Sequence, residues 1–93
     1  MKMHVRAEIV VRGLVQGVGF RYFVVREAEK LGVKGFTKNL YSGEVLTVAE
    51  GEKGLVEDLL NKVKVGPIHA SVNSFKVDWL EPKNEFETFE IRF

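Results

Sequence analysis

Gly13-Leu14-Val15-Gln16-Gly17-Val18-Gly19-Phe20-Arg21 joins a segment that alternates like a strand to one that repeats like a helix. Before it, Val5, Ala7, Ile9 and Val11 fall on one face and His4, Arg6, Glu8 and Arg12 on the other. That period of two predicts a strand from His4 to Arg12 with one wet side. After it, Phe20, Phe23, Val24, Ala28 and Leu31 recur at helical spacing, and Gly32 supplies a left-handed cap. A glycine-rich turn between strand and helix leaves backbone N–H groups that no secondary structure claims, at the positive end of a helix dipole. Such groups form a site for an anion such as phosphate. Arg21 closes the turn with a planar fork of donors that suits phosphate oxygens.

Outward from this stretch the pattern continues. Val33 to Tyr41 reads as a second strand, Ser42-Gly43 as a turn, and Glu44 to Glu50 as a third strand; Val45, Thr47 and Ala49 suit its inner face, but Leu46 and Val48 leave the choice of face open. Glu52 to Val65 carries Leu55, Val56, Leu59, Leu60 and Val63 on one stripe, a second helix that Gly66-Pro67 stops. Ala70 to Leu80 reads as a fourth strand, with Phe75, Val77 and Trp79 alternating along it. Phe89, Ile91 and Phe93 against Thr88, Glu90 and Arg92 form a short last one. The order β-α-β-β-α-β plus a terminal strand predicts an α+β, ferredoxin-like split βαβ sandwich. Its sheet is mainly antiparallel with both helices on one face, and the other face is expected to be largely wet.

Ninety-three residues make one domain, 1–93. An apolar share of 45% with 29% charged residues excludes a disordered chain. A net charge of +1 offers no general attraction to nucleic acid or an acidic membrane. The absence of cysteine removes disulfides, thiolate metal sites and cysteine nucleophiles together. The start, Met1-Lys2-Met3-His4, leads into the first strand rather than into an apolar signal core, so a cytoplasmic location is expected.

On physics alone the three glycines could merely permit a tight turn, with Arg21 a solvated first-turn residue. The loop lacks the Gly-Lys-Ser/Thr of a nucleotide P-loop and the third glycine of a dinucleotide fingerprint. A second group, Gly35-Phe36-Thr37-Lys38-Asn39, lies near the end of the second strand, where Asn39 can approach the cradle. Asparagine there is either a local turn cap or a holder of water through its amide donor and carbonyl acceptor.

Gly13-x-Val15-Gln16-Gly17-Val18-x-Phe20-Arg21 resembles the first signature of the acylphosphatase family. Gly35-Phe36-x-Lys38-Asn39-x-x-x-Gly43-x-Val45, with Gly51 after it, resembles its second. Gly66-Pro67-x-x-Ala70-x-Val72 and Phe89-x-Ile91-Arg92 also resemble family positions, so the likeness spans nearly the whole chain. Gly19 and Thr37 depart from the residues common at their places, and neither carries the expected chemistry. The resemblance implies hydrolysis of acyl phosphates, the mixed anhydrides of a carboxylic acid and phosphoric acid, and implies no metal or cofactor; a monomer is the separate expectation for a chain of this size. It implies Arg21 as the phosphate-binding catalytic arginine and Asn39 as the residue that orients the attacking water. The backbone of Gln16, Gly17, Val18, Gly19, Phe20 and Arg21 becomes the phosphate loop, and inorganic phosphate becomes both product and competitive inhibitor.

Two other readings remain at this level. An RNA-binding or regulatory module shares the element order, and Lys34-Gly35-Phe36-Thr37-Lys38 echoes part of an RNA-recognition signature, on the second strand rather than the third. A carbamoyl-phosphate-handling module, like the one that begins hydrogenase-maturation carbamoyltransferases, would require further domains. His4 and His69 lack partners at metal-ligand spacing and read as surface residues. Glu50, Glu52, Glu57 and Asp58 read as a solvated helix start, and Phe75, Trp79 and the terminal phenylalanines as core.

Overall fold

The computed structural model describes residues 3–93, so Met1 and Lys2 of the start lie outside the described residues. The elements are β1 (His4–Leu14), α1 (Phe20–Leu31), β2 (Lys34–Asn39), β3 (Val45–Glu52), α2 (Lys53–Val63), β4 (Ser71–Leu80) and β5 (Phe89–Arg92). They form one five-stranded sheet in the order β4-β1-β3-β2-β5. β3 is antiparallel to both β1 and β2, β1 is antiparallel to β4, and β2 is parallel to β5. β1 and β2 therefore run the same way with β3 between them, which is the split βαβ unit expected from the sequence.

Local chemistry explains the elements. In α1 the buried residues Phe20, Val24 and Ala28 recur every four positions, and Gly32 ends the helix at φ 71°, its N–H meeting the Ala28 and Glu29 carbonyls. In α2 the buried residues are Val56, Leu59 and Val63, with Leu55 and Leu60 packed at the margin. Both stripes close on Ala7, Ile9 and Val11 of β1 and on Val45 and Ala49 of β3. β2 and β3 also join by a buried Thr37–Thr47 hydroxyl hydrogen bond of 3.1 Å. Gly35 is needed for that close pairing, because a Cβ there would stand 1.8 Å from the Val48 carbonyl oxygen.

Boundaries shift by a few residues. β1 continues through Gly13 and Leu14, with a register shift after Arg12, because β4 still pairs with it there. β2 stops at Asn39, since Leu40–Glu44 closes on itself through Leu40 N–H to Glu44 O (2.8 Å) and Gly43 N–H to Leu40 O (3.1 Å). α2 ends at Val63, and Gly66 at φ 76° donates back to the Lys62 carbonyl.

Three expectations need correction. The sheet face away from the helices is not wet throughout: Arg6 and Glu50 are each 6% exposed. Segment 81–88 covers them, its Lys83 and Asn84 N–H groups donating to Glu50 and its Glu85 accepting from Arg6. Glu50 is thus a buried ion-pair partner, not part of a solvated helix start; Glu57 and Asp58 are exposed, but the first turn of α2 holds no acid. Phe75 and Trp79 are about half exposed and Phe93 is 90% exposed, because β4 is an edge strand and Phe93 lies past the end of β5. Of the terminal phenylalanines, Phe89 is buried.

Candidate active site

β1, β2 and β5 point the same way, so their carboxyl ends share one end of the sheet. In register, Val11 of β1 faces Val45 of β3, and Val45 faces Asn39 of β2. Val11, three residues before the end of β1, and Asn39, the last residue of β2, are thus about two strand spacings apart, roughly 10 Å. Lys38 pairs with Arg92, which brings Phe93 to the same place. Alternation puts Asn39 on the helix side of the sheet, two residues beyond Thr37.

The turn itself is built by burial at its ends and glycine between. Val15 and Phe20 are almost fully buried, while Gly17 and Gly19 adopt φ 74° and 75° with nothing within 4 Å of where a Cβ would stand. The glycines therefore serve backbone conformation, not close packing. Gly19 caps α1 without a side-chain bond, and the first backbone bond of the helix is Phe23 N–H to Gly19 O at 3.1 Å. Among the described residues, the amides from Gln16 to Tyr22 donate to no backbone carbonyl. They are the unpaired donors that an anion needs.

Val15, Gly17, Gly19, Phe20, Arg21, Tyr22 and Asn39 line one cavity of about 180 Å³. That is well above what a single water needs, so a group larger than water can enter. Arg21 is partly buried; its Nη1 donates to the Arg92 carbonyl at 3.1 Å, and its Cζ lies 4.9 Å from the centre of the Phe93 ring. The guanidinium is thus held from the C-terminal side with most of its five donors unspent. Asn39 Oδ1 is buried and accepts no hydrogen bond, so Asn39 is not a turn cap. An unmet buried acceptor costs about 1–3 kcal/mol unless a donor reaches it.

A second hollow of about 410 Å³ shares Asn39 and adds Gln16, Lys38, Leu40, Tyr41 and Phe93. Neither space is lined by a carboxylate, and Arg21 and Lys38 contribute positive charge. The nearest acid of the turn, Glu44, is engaged: Ser42 Oγ donates to it at 2.7 Å and Arg12 Nη2 at 2.6 Å. Those hydrogen bonds, from Ser42 first and then from Arg12, hold its carboxyl below the ordinary carboxylate range.

The structure brings Arg21 and Asn39 together with Gly17, Gly19 and Phe20 of the loop, while Val18 lines neither space. It does not direct the Gln16 side chain into the loop cavity: Nε2 donates instead to the Leu40 carbonyl (2.8 Å) and the Glu44 carbonyl (2.9 Å). Phe93 and the Arg92 carbonyl are partners of Arg21 that sequence reasoning missed, because only the parallel β2–β5 pairing places them there. Among the described residues no cluster of three or more His, Cys, Asp or Glu could hold a metal ion, and no helix is long and apolar enough to cross a membrane.

Comparison with known proteins gives a consistent outcome. The acylphosphatase family model matches residues 7–91. An acylphosphatase of Moorella thermoacetica is 47% identical over 88 residues, covering 95% of this chain and 94% of that one. The crystal structure of acylphosphatase from Bacillus subtilis superposes with a TM-score of 0.92 at 35% identity, covering 96% of this chain and 99% of that one. Full-length HypF, in a phosphate- and nucleotide-bound form, superposes with a TM-score of 0.90 at 32% identity. The match covers all of this chain but only 12% of HypF.

Proposed function

The chain belongs to the acylphosphatase family, and from that membership we propose how its residues divide the work of hydrolysing acyl phosphates to carboxylate and inorganic phosphate. The phosphoryl oxygens lie against the N–H groups of Gln16 to Arg21, and the Arg21 guanidinium adds donors on the open side. Asn39 holds a water through its carboxamide, with Oδ1 accepting a hydrogen bond from the water O–H. The water oxygen attacks phosphorus, the P–O bond to the acyl group breaks opposite it, and that electron pair leaves on the carboxylate. The water proton passes to phosphate or solvent. Because a carboxylate is a weakly basic leaving group, no strong general acid or covalent nucleophile is required, and positioning with charge stabilisation carries the rate.

The observation that carries this reading is the buried, unpartnered Oδ1 of Asn39 beside the cavity it shares with Arg21. Inorganic phosphate fits the same cradle and is the expected competitive inhibitor. The enzyme is proposed to need no metal and to act as a cytoplasmic monomer, a setting that its cysteine-free sequence suits. An RNA-binding or regulatory role is not favoured.

The test is steady-state hydrolysis of benzoyl phosphate, with inorganic phosphate as competitor. Arg21→Ala is expected to lower turnover about a hundredfold or more, the scale of a lost oxyanion donor. Asn39→Ala is expected to keep phosphate inhibition while kcat falls. Near-normal turnover in Arg21→Ala, or an unchanged kcat in Asn39→Ala, contradicts the assignment.

A further inference from the structure

Gln16 belongs to the phosphate loop by its backbone, yet its side chain faces the neighbouring 410 Å³ hollow and does not line the loop cavity. Its Nε2 spends both hydrogens on two carbonyls of the β2–β3 turn, Leu40 O at 2.8 Å and Glu44 O at 2.9 Å. Those same carbonyls already close the turn from within, Leu40 O accepting from Gly43 N–H and Glu44 O from Leu40 N–H. Each carbonyl has two lone pairs, so the turn keeps its own ring of bonds while Gln16 ties that ring, as a unit, to the loop. Leu40 follows Asn39 directly, and Asn39 has no side-chain bond of its own to fix it.

We propose that Gln16 is a positioning residue for the hydrolysis, fixing the distance between the phosphate loop and the water-orienting Asn39. The inference rests on the role given to Asn39 above. One carboxamide links the backbone that holds the phosphoryl group to the backbone that carries the water holder, and does so in a partly buried setting. The other link between the turn and β1, Arg12 to Glu44, is an exposed ion pair and constrains little. Lysine or arginine at position 16 would add a charge where the contacts are neutral carbonyls. Glutamate would face those two oxygens with no donor at all.

The experiment measures kcat, KM for benzoyl phosphate and the inhibition constant of inorganic phosphate in Gln16→Ala and Gln16→Met. Methionine keeps the length and removes the donors, so it serves if the alanine variant is poorly folded. A double-mutant cycle with Asn39→Ala completes it, with Arg12→Ala as the control for loosening the turn by its exposed link. A misplacement of about 1 Å in a reacting geometry costs up to about a hundredfold. The expected result is a ten- to hundredfold (order of magnitude) loss of kcat in the Gln16 variants, with KM and phosphate inhibition within about twofold. No further loss is expected when they are placed on Asn39→Ala, because the group they position is gone. Arg12→Ala should stay within about twofold of wild type. An unchanged kcat in Gln16→Met, or weakened phosphate inhibition with kcat intact, overturns the inference. So does an equal loss of kcat with or without Asn39. If Asn39→Ala alone leaves kcat unchanged, the water-orienting role falls and this inference falls with it; an Asn39→Ala loss with additive Gln16 effects removes the inference alone.

Discussion

Replacing Glu50 by alanine should loosen segment 81–88 and lower stability sharply while leaving catalysis intact. The Glu50 carboxylate makes three hydrogen bonds: Oε2 accepts from Arg6 Nη1 and from Lys83 N–H, both at 2.9 Å, and Oε1 accepts from Asn84 N–H at 3.0 Å. Breaking a buried pair by removing one partner costs about 3–5 kcal/mol. Arg6 keeps Glu85 at 2.9 Å and Glu8 at 3.2 Å, so the lower end, about 3 kcal/mol, is expected. In a domain of this size that lowers Tm by roughly 12–24 °C. Position 50 lies five residues along β3 from Val45, the partner of Asn39, a distance of roughly 16 Å, so kcat at 25 °C should not change. The acid limb gives a second reading. Burial alone would raise the Glu50 carboxyl, but the Lys83 N–H, the Arg6 guanidinium and the Asn84 N–H outweigh it and hold it below the ordinary range. The unfolded chain then binds the proton more tightly, so this part of the stability is full above the unfolded value of about 4.3. It is lost as pH falls through the lower folded value, and Glu50→Gln should remove that slope. Urea unfolding at several pH values measures both effects. A loss below about 1 kcal/mol in Glu50→Ala, or an unaltered acid limb in Glu50→Gln, refutes the reasoning.

Three further outcomes follow from the geometry. Gly66→Ala should destabilise by about 2–4 kcal/mol in urea unfolding, since φ is 76° and a Cβ would stand 2.6 Å from Phe20 Cε2; a loss under about 1 kcal/mol contradicts that packing. Phe93→Ala removes the ring 4.9 Å from the Arg21 guanidinium carbon, worth about 0.5–1 kcal/mol at an exposed site. KM for benzoyl phosphate and the phosphate inhibition constant should both rise about two- to fivefold, and unchanged constants would detach Phe93 from Arg21. Dialysis against a chelator should leave turnover unaltered; activity lost and restored by a divalent cation would contradict the metal-free mechanism.

The elements near the site were legible in the sequence because they depend on local periodicity. The alternation of Val5 to Val11, the four-residue recurrence of Phe20, Val24 and Ala28, and the glycines between them required no knowledge of the partners. The approach of Asn39 to the loop followed from the split βαβ topology. What escaped were contacts made by segments without a period. Alternation places Arg6 and Glu50 on the outer face, but the irregular segment 81–88 that buries them carries no signal of where it lies. Phe75 and Trp79 alternate as core residues do, yet their exposure depends on β4 being an edge strand, which is a matter of strand order. Gln16 sits within the loop motif, and nothing in its spacing shows that its side chain crosses to Leu40 and Glu44.

The account turns on phosphorus, held by the loop and Arg21, being the atom that water reaches from Asn39. Hydrolysis of benzoyl phosphate in water enriched in oxygen-18, with the products separated by mass, reads this directly. The label should enter inorganic phosphate and leave benzoate unlabelled. Label in benzoate would place the attack at the carbonyl carbon and contradict the account.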